Sequence, residues 1–416
     1  MRLLSLTLIG ALLALAIILA KGRSPADTSE TAEQHISQAW LLSADTANFA
    51  EAEQHYKKAL TIYRNLVEKK SEAYLPDLAM TLCRLGFLHH QISDYPKASD
   101  DYGEALKIYR GLAKENPKAS LPYVANTLHN LACSHSDNHE YAKASEEYEE
   151  ALKIYRDLAE ENPKTYLPNV AGTLYSLGFL HDDINDYPKA SEEYEEALKI
   201  YRGLAEENPK DYLPWMADTL ANLANLHLVT NEYVKASEEY EEALKICRDL
   251  AKENPKAYLP NVAGTLYGLG VLHDDLNDYP KASEEYEEAL KIYRDLAEEN
   301  PKEYLPWVAN TLANLADLHS ATNEYAKASE EYEEALKIYR ALAEENPKEY
   351  LPQVAEILNG LAVLHQDGIP NKTLSLKYAR EAIEILGKCD DTPSAKEEKE
   401  KAERVIEKWD NNDKED

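Results

Sequence analysis

Seven of the 12 histidines recur at one spacing: His89, His135, His181, His227, His273, His319 and His365 each lie 46 residues from the last. Imidazole serves both metal ligation and proton transfer near neutral pH, so a regular row of it invites a metal or catalytic reading. If the copies ride on successive stacked helices, however, equivalent atoms stand about one helix diameter, roughly 10 Å, apart. Zinc holds its nitrogens at about 2 Å, so the row reads as a packing position between two helices. The carboxylates Asp182, Asp183 and Asp186, repeated as Asp274, Asp275 and Asp278, suggest calcium at first sight. They lack the glycine and the closing glutamate of an EF-hand loop, and Pro188 opens a helix among them. Helix caps and solvated turns are the simpler reading.

Cys83, Cys133, Cys247 and Cys389 show neither a CxxC pair nor ligand spacing. Cys83 and Cys133 occupy neighbouring copies on one face, so either a disulfide or two free thiols is expected there. Cys247 stands where other copies have Tyr201 and Tyr293, a core substitution. No glycine-rich phosphate loop, GxSxG elbow or HExxH occurs. Nothing supports catalysis, and no cofactor or metal is implied.

The elements that carry these residues are periodic. Leu-Pro recurs at Pro76, Pro122, Pro168, Pro214, Pro260, Pro306 and Pro352, always 46 residues apart, with a closer likeness at 92 residues. YLPNVAGTLYSLGFLHDDINDYPKA from Tyr166 returns almost unchanged from Tyr258. Within one copy, Ala190, Tyr194, Ala197, Leu198, Tyr201 and Leu204 form one helical stripe, and Glu192, Glu193, Glu195 and Glu196 the opposite face, expected to meet water. The preceding helix should run from about Pro168 to Asp182, with the proline in its first turn. Asn185 or Asp186 can cap the second helix, and Pro209 should end it by forcing Asn208 out of the α region. No strand-like run appears, so the fold class is all-α.

Leu174-x2-Leu177-Gly178-x2-His181 followed by Ala190-x3-Tyr194-x2-Ala197 resembles the tetratricopeptide repeat signature, with Leu for the family's Trp and His for its Tyr. The family's closing proline falls on Arg202, and the period is longer than the usual one, so the second helix runs on. Copies containing Asn-Leu-Ala, at Asn130, Asn222 and Asn314, are similar to the kinesin light chain branch. The resemblance implies a right-handed α-α superhelix, a solenoid of about eight helix pairs spanning residues 30–388, the first and last degenerate. A helix over 389–409, with Ala402, Val405, Ile406 and Trp409, would cap it, and 410–416 would form a polar tail.

The second helices are nearly invariant, whereas the first helices differ between copies at particular places. In the resembling family those places line a concave groove that binds peptides or partner helices. Here they hold Asn126, His129 and Cys133, then Tyr175, Phe179, Asp182 and Asp183, then Asp218, Asn225 and Leu228. Tyr267, Val271, Asp274 and Asp275 follow, and then Asn310 and Asp317. Neutral drift between duplicated copies is the alternative. Asn130, Asn222, Asn314 and, one position earlier in its copy, Asn359 are poor mid-helix residues that recur. Either their amides hold the backbone of a bound peptide, as the resemblance implies, or they bond locally between adjacent helices.

Residues 1–23 read as a signal peptide or membrane anchor, because Leu3 to Ala20 carries no charge and is flanked by Arg2 and Lys21; 24–29 would be a linker. The chain of 416 residues has a formal charge of −31, which excludes nucleic acid as a partner and limits membrane contact to that segment. Its 29 Tyr against 3 Phe reflect one motif counted many times. The expected function is a non-enzymatic scaffold, exported or anchored, that binds a protein or peptide in its groove. Two alternatives are a structural spacer associating through its acidic convex face, and a regulatory or sensor subunit of a separate enzyme.

Overall fold

A computed structural model describes residues 28–69, 72–389 and 392–415. The N-terminal apolar segment lies outside them. Among the described residues there is no strand, and no helix is long and apolar enough to cross a membrane. The chain divides into two compact units, the first ending at Asn222 and the second beginning at Leu223.

In the first unit, helices pair consecutively: α1 (Ser29–Leu42) with α2 (Phe49–Lys69), α3 (Leu75–Gln91) with α4 (Tyr95–Glu115), α5 (Pro117–Asp137) with α6 (Tyr141–Glu161), and α7 (Pro163–Asp183) with α8 (Tyr187–Glu207). The boundary falls within α9 (Pro209–Val229). The second unit continues with α10 (Tyr233–Glu253), α11 (Pro255–Asp275), α12 (Tyr279–Glu299), α13 (Pro301–Ala321), α14 (Tyr325–Glu345), α15 (Pro347–Val363) and α16 (Lys372–Leu386). With α17 (Pro393–Glu415) these are the eight expected helix pairs and a capping helix, consecutive pairs in a tetratricopeptide solenoid arrangement. Odd-numbered helices α1–α15 are the A helices and even-numbered ones the B helices.

The expected start of the A helices is corrected. Pro163 occupies the first position of α7, and Pro168 lies inside the helix. The Asn-Pro-Lys turn is the true start, because a leading proline gives up only an N–H that has no partner there. Proline at the sixth position leaves the Lys164 carbonyl without its usual donor, a modest loss near a helix end. Only in α3, which starts at Leu75, does the Leu-Pro proline fall in the first turn. Asn208 takes φ −141° and ψ 77°, so Pro209 does end α8. Asp186 is the N-cap of α8, and Asn185 before it turns the chain at φ 60°. Asn231, Asn277 and Asn323 repeat that left-handed turn, which asparagine tolerates better than most side chains.

The last pair carries one extra residue. α15 runs into a π-type turn, Leu364–Gly368, and such turns accommodate single insertions. α17 then closes the second unit. Asn359 donates to the Glu398 carbonyl at 2.8 Å, Gln366 to the Val405 carbonyl at 2.9 Å, and Trp409 Nε1 to Ser375 Oγ at 2.9 Å. The helix continues to Glu415, through residues expected as a polar tail.

Candidate functional site

Six A helices, α3 to α13, are each fixed to their B helix by a polar bond that the acidic run conceals. His135 Nδ1 lies 2.7 Å from Glu147, His181 2.6 Å from Glu193, and His89 2.7 Å from Asp101. In the second unit His227, His273 and His319 meet Glu239, Glu285 and Glu331, each at 2.7 Å. The row of histidines is thus a packing position with a carboxylate partner, and Glu193 does not face open water as expected. Burial pushes the Glu147, Glu193, Glu285 and Glu331 carboxyls up, and the histidine bonds only partly offset this. Burial pulls His89 down, but its bonds to Asp101 and Glu53 outweigh that and its pKa is raised.

Glu196 does meet water, but it is ion-paired. Arg156 Nη2 sits between its two carboxylate oxygens at 2.7 Å, and Arg64–Glu104 and Arg110–Glu150 repeat the link between consecutive B helices. Arg248–Glu288 and Arg294–Glu334 do so in the second unit, as does Arg340–Glu381 with one residue more between partners, the extra residue of the π-type turn. The outward B surface is therefore a ladder of half-exposed ion pairs, with Glu192 and Glu195 exposed beside it.

The A helices face differently, and their variable positions follow a rule. Where glycine precedes the variable position, the B-helix tyrosine leans over it: a Cβ on Gly178 would lie 2.8 Å from the Tyr194 ring, and one on Gly270 2.6 Å from Tyr286. The next residue is then apolar, Phe179 or Val271. Where alanine precedes it, the tyrosine reaches the polar residue instead. Tyr148 donates to Cys133, Tyr240 to Asn225 and Tyr332 to Asp317. The Tyr240 and Tyr332 rings then crowd the following A helix at Gly268 and Gly360. Cys133, Asn225 and Asp317 are consequently engaged by tyrosines, which accounts for the alternation over 92 residues better than drift does.

The recurrent asparagines belong to the same arrangement. Asn222 donates to the Tyr175 hydroxyl at 2.8 Å, and Asn314 to Tyr267 at 3.0 Å and Tyr286 at 3.4 Å. Asn130 donates to Asn126 at 3.4 Å. For Asn222 and Asn314 these are local bonds between neighbouring helices, and for Asn130 a bond within its own helix. Asn359 is completely buried beneath α17, so it lines no open groove. Tyr175 stands edge-on to Trp215, which stacks on Tyr201, and Tyr267, Trp307 and Tyr293 repeat this in the second unit.

The other expected groove residues are placed as follows. In the first unit Asn126, Phe179 and Asp183 are exposed, and His129, Asp182 and Asp218 half-buried, with the His129 ring against Tyr148. In the second unit Asp275 is exposed and Asp274 half-buried, while Asn310 accepts from the Tyr339 hydroxyl. Burial raises the Asp182 and Asp274 carboxyls. Asp317 and Glu356 keep accessible surface, yet the surrounding protein pushes both carboxyls up. None of the four cysteines is in a disulfide; Cys83 faces Thr127 at 3.5 Å, and the Cys83–Cys133 bridge is not formed.

Large exposed apolar residues lie mostly on the A helices: Leu41, Met80, Tyr123, Phe179 and Trp215 in the first unit and Val229 and Trp307 in the second, against Val234 alone on the described B helices. Of these only Phe179 was singled out above. The copy-to-copy variation that pointed to Phe179 also runs through Asp77, Tyr123, Asn169 and Trp215. Across α1, α3 and α5 the surface opens into a cavity of about 370 Å³, lined by Trp40, Met80, Arg84, Phe87, Tyr123, Asn126 and Asn130 among others.

Tetratricopeptide repeat patterns match residues 38–111, 124–163, 171–203 and 215–341. No curated protein sequence matches the chain. Among solved structures, the quorum sensor NprR of B. thuringiensis in its apo form is 15% identical with a TM-score of 0.57, over 92% of this chain and 93% of that one. A signal transduction ATPase with a tetratricopeptide repeat sensor, from Pyrococcus horikoshii, is 18% identical with a TM-score of 0.55, over 87% of this chain and 54% of that one. A putative kinesin light chain of Podosopora anserina with nearly identical repeats is 15% identical with a TM-score of 0.41, over 54% and 98%. At these identities the first two show a shared fold and no more. The repeat matches extend over more than half of the residues, and the chain belongs to the tetratricopeptide repeat family.

Proposed function

We propose that this protein is a non-enzymatic scaffold that binds a protein or peptide partner on its A-helix surface. The carrying observation is the asymmetry between its two faces. B helices present ion pairs and free glutamates, whereas A helices expose Tyr123, Phe179 and Trp215, each with more than 40% of its surface open. Exposed aromatic residues gathered on one face mark interaction surfaces on soluble proteins. Phe179, which makes no structural hydrogen bond, is a better contact residue than Tyr175 or the recurrent asparagines. The apolar segment Leu3–Ala20 supports an exported or anchored location, which mass spectrometry of the mature N-terminus would test.

A photo-crosslinking residue at Phe179, compared with one at Glu192 on the B face, tests the reading in native lysate. Partner adducts are expected at position 179 and not at 192. Adducts at 192 alone would instead favour a spacer associating through its acidic face.

A further inference from the structure

The cavity across α1, α3 and α5 contains a cation that the fold does not use. Arg84 is the only arginine on any A helix, in a chain of net charge −31. Its sole hydrogen bond among the described residues is a long one, 3.8 Å, to the Met80 thioether, and no carboxylate pairs with it. Every B-helix arginine of the ladder, by contrast, has its glutamate. Arg84 is half-buried and forms part of the cavity wall. Around it stand rigid apolar walls: Tyr109 and Tyr123 stack with centroids 5.1 Å apart and planes 13° from parallel, and Tyr56 and Trp40 complete the lining.

We infer that this cavity binds a small monocarboxylate with an aromatic or branched apolar body, its carboxylate on Arg84 and its body against the tyrosines. A guanidinium matches a carboxylate with paired N–H donors, and about 370 Å³ lies at the small end of ligand pockets. Asp77, two turns before Arg84 on the same face of α3, puts a carboxylate beside one end of the site, so a second carboxylate on the ligand meets repulsion. The same chemistry is offered by a free acid and by the last residue of a peptide.

The test is calorimetric titration of the full chain with 3-phenylpropionate, its neutral amide 3-phenylpropionamide, phenylsuccinate, and acetyl-Ala-Phe bearing a free carboxylate. Saturable binding of the monoacid is expected, with the amide and the diacid about tenfold weaker or more. Arg84→Gln should remove the preference for acid over amide, and Arg84→Lys should keep part of it. Met80→Glu, which supplies an internal carboxylate beside the guanidinium, should abolish acid binding with Arg84 intact. Tighter binding of the peptide than of the free acid would assign the cavity to chain ends, and the reverse to free acids. Equal affinity for acid and amide, unchanged preference in Arg84→Gln, or no saturation at millimolar ligand overturns the proposal.

Discussion

Replacing Gly178 by alanine sets two physical effects against each other with opposite signs. Helix propensity alone favours alanine by about 0.8–1 kcal/mol in the middle of α7. The added Cβ, however, would stand 2.8 Å from the Tyr194 ring, where real contacts begin near 3.4 Å. The ring is the far end of a side chain and can swing, and Tyr240 shows where to: over an alanine, with its hydroxyl on Asn225 and its ring against Gly268. Tyr194 has no such refuge, because Phe179 offers no acceptor and Asn222 occupies the place of that second glycine, bonded to Tyr175. Overpacking of this kind costs about 1–3 kcal/mol. A net loss of roughly 1 kcal/mol is therefore expected, despite the better helix former. Combining Gly178→Ala with Phe179→Asn and Asn222→Gly recreates the Tyr240 surroundings and should recover most of it. Because repeats unfold by neighbourhood, amide hydrogen exchange across α7 and α8 is the assay, with urea unfolding as a check. A single variant more stable than wild type by about 1 kcal/mol, or a triple variant no better than the single, would refute the reasoning.

The Tyr194 hydroxyl is buried without a hydrogen bond, so Tyr194→Phe should leave stability unchanged or raise it by about 1 kcal/mol, whereas Tyr240→Phe, losing its bond to Asn225, should lower it by a similar amount in urea unfolding. His89 should titrate above the ordinary 6.5 by NMR. Its charged bonds then support the fold fully below pH 6.5, above the titration of Asp101, and progressively less as pH rises through the raised value; His89→Gln should therefore cost more at about pH 6 than at about pH 9. Arg156→Ala should cost less than about 1 kcal/mol, since both partners are near half exposed, and a larger loss would mean that the ladder holds the first unit together.

The helix pairs, their number and the capping helix were legible because apolar spacing and proline punctuation repeat without interruption. Helix starts were less so: two prolines, such as Pro163 and Pro168, compete in every copy from α5 to α15, and only backbone hydrogen bonding decides between them. The carboxylate partners of the histidines lay hidden among similar glutamates, although an acidic residue stands 12 positions after each histidine that has one, and Lys377 stands there for His365, which bonds the Ile369 carbonyl instead. Variation between copies pointed to the A-helix surface, but part of it proved to be interlocking tyrosines. That distinction depends on which way a ring leans, and a ring's tilt is decided by a neighbour 16 or 28 residues away, as with Gly178 and Gly268.

The alternation of leaning tyrosines also limits how such a chain can lengthen or shorten. A copy of the alanine type sets its tyrosine against a small residue of the copy that follows, glycine at Gly268 and Gly360 and serine at Ser176, and a tyrosine-bearing copy of the glycine type needs the asparagine of its successor. Loss of one 46-residue copy would bring two like copies together, as poorly matched as neighbouring teeth of one gear, whereas loss of 92 residues leaves every junction as it was. Length variants of this protein should therefore differ by even numbers of repeats.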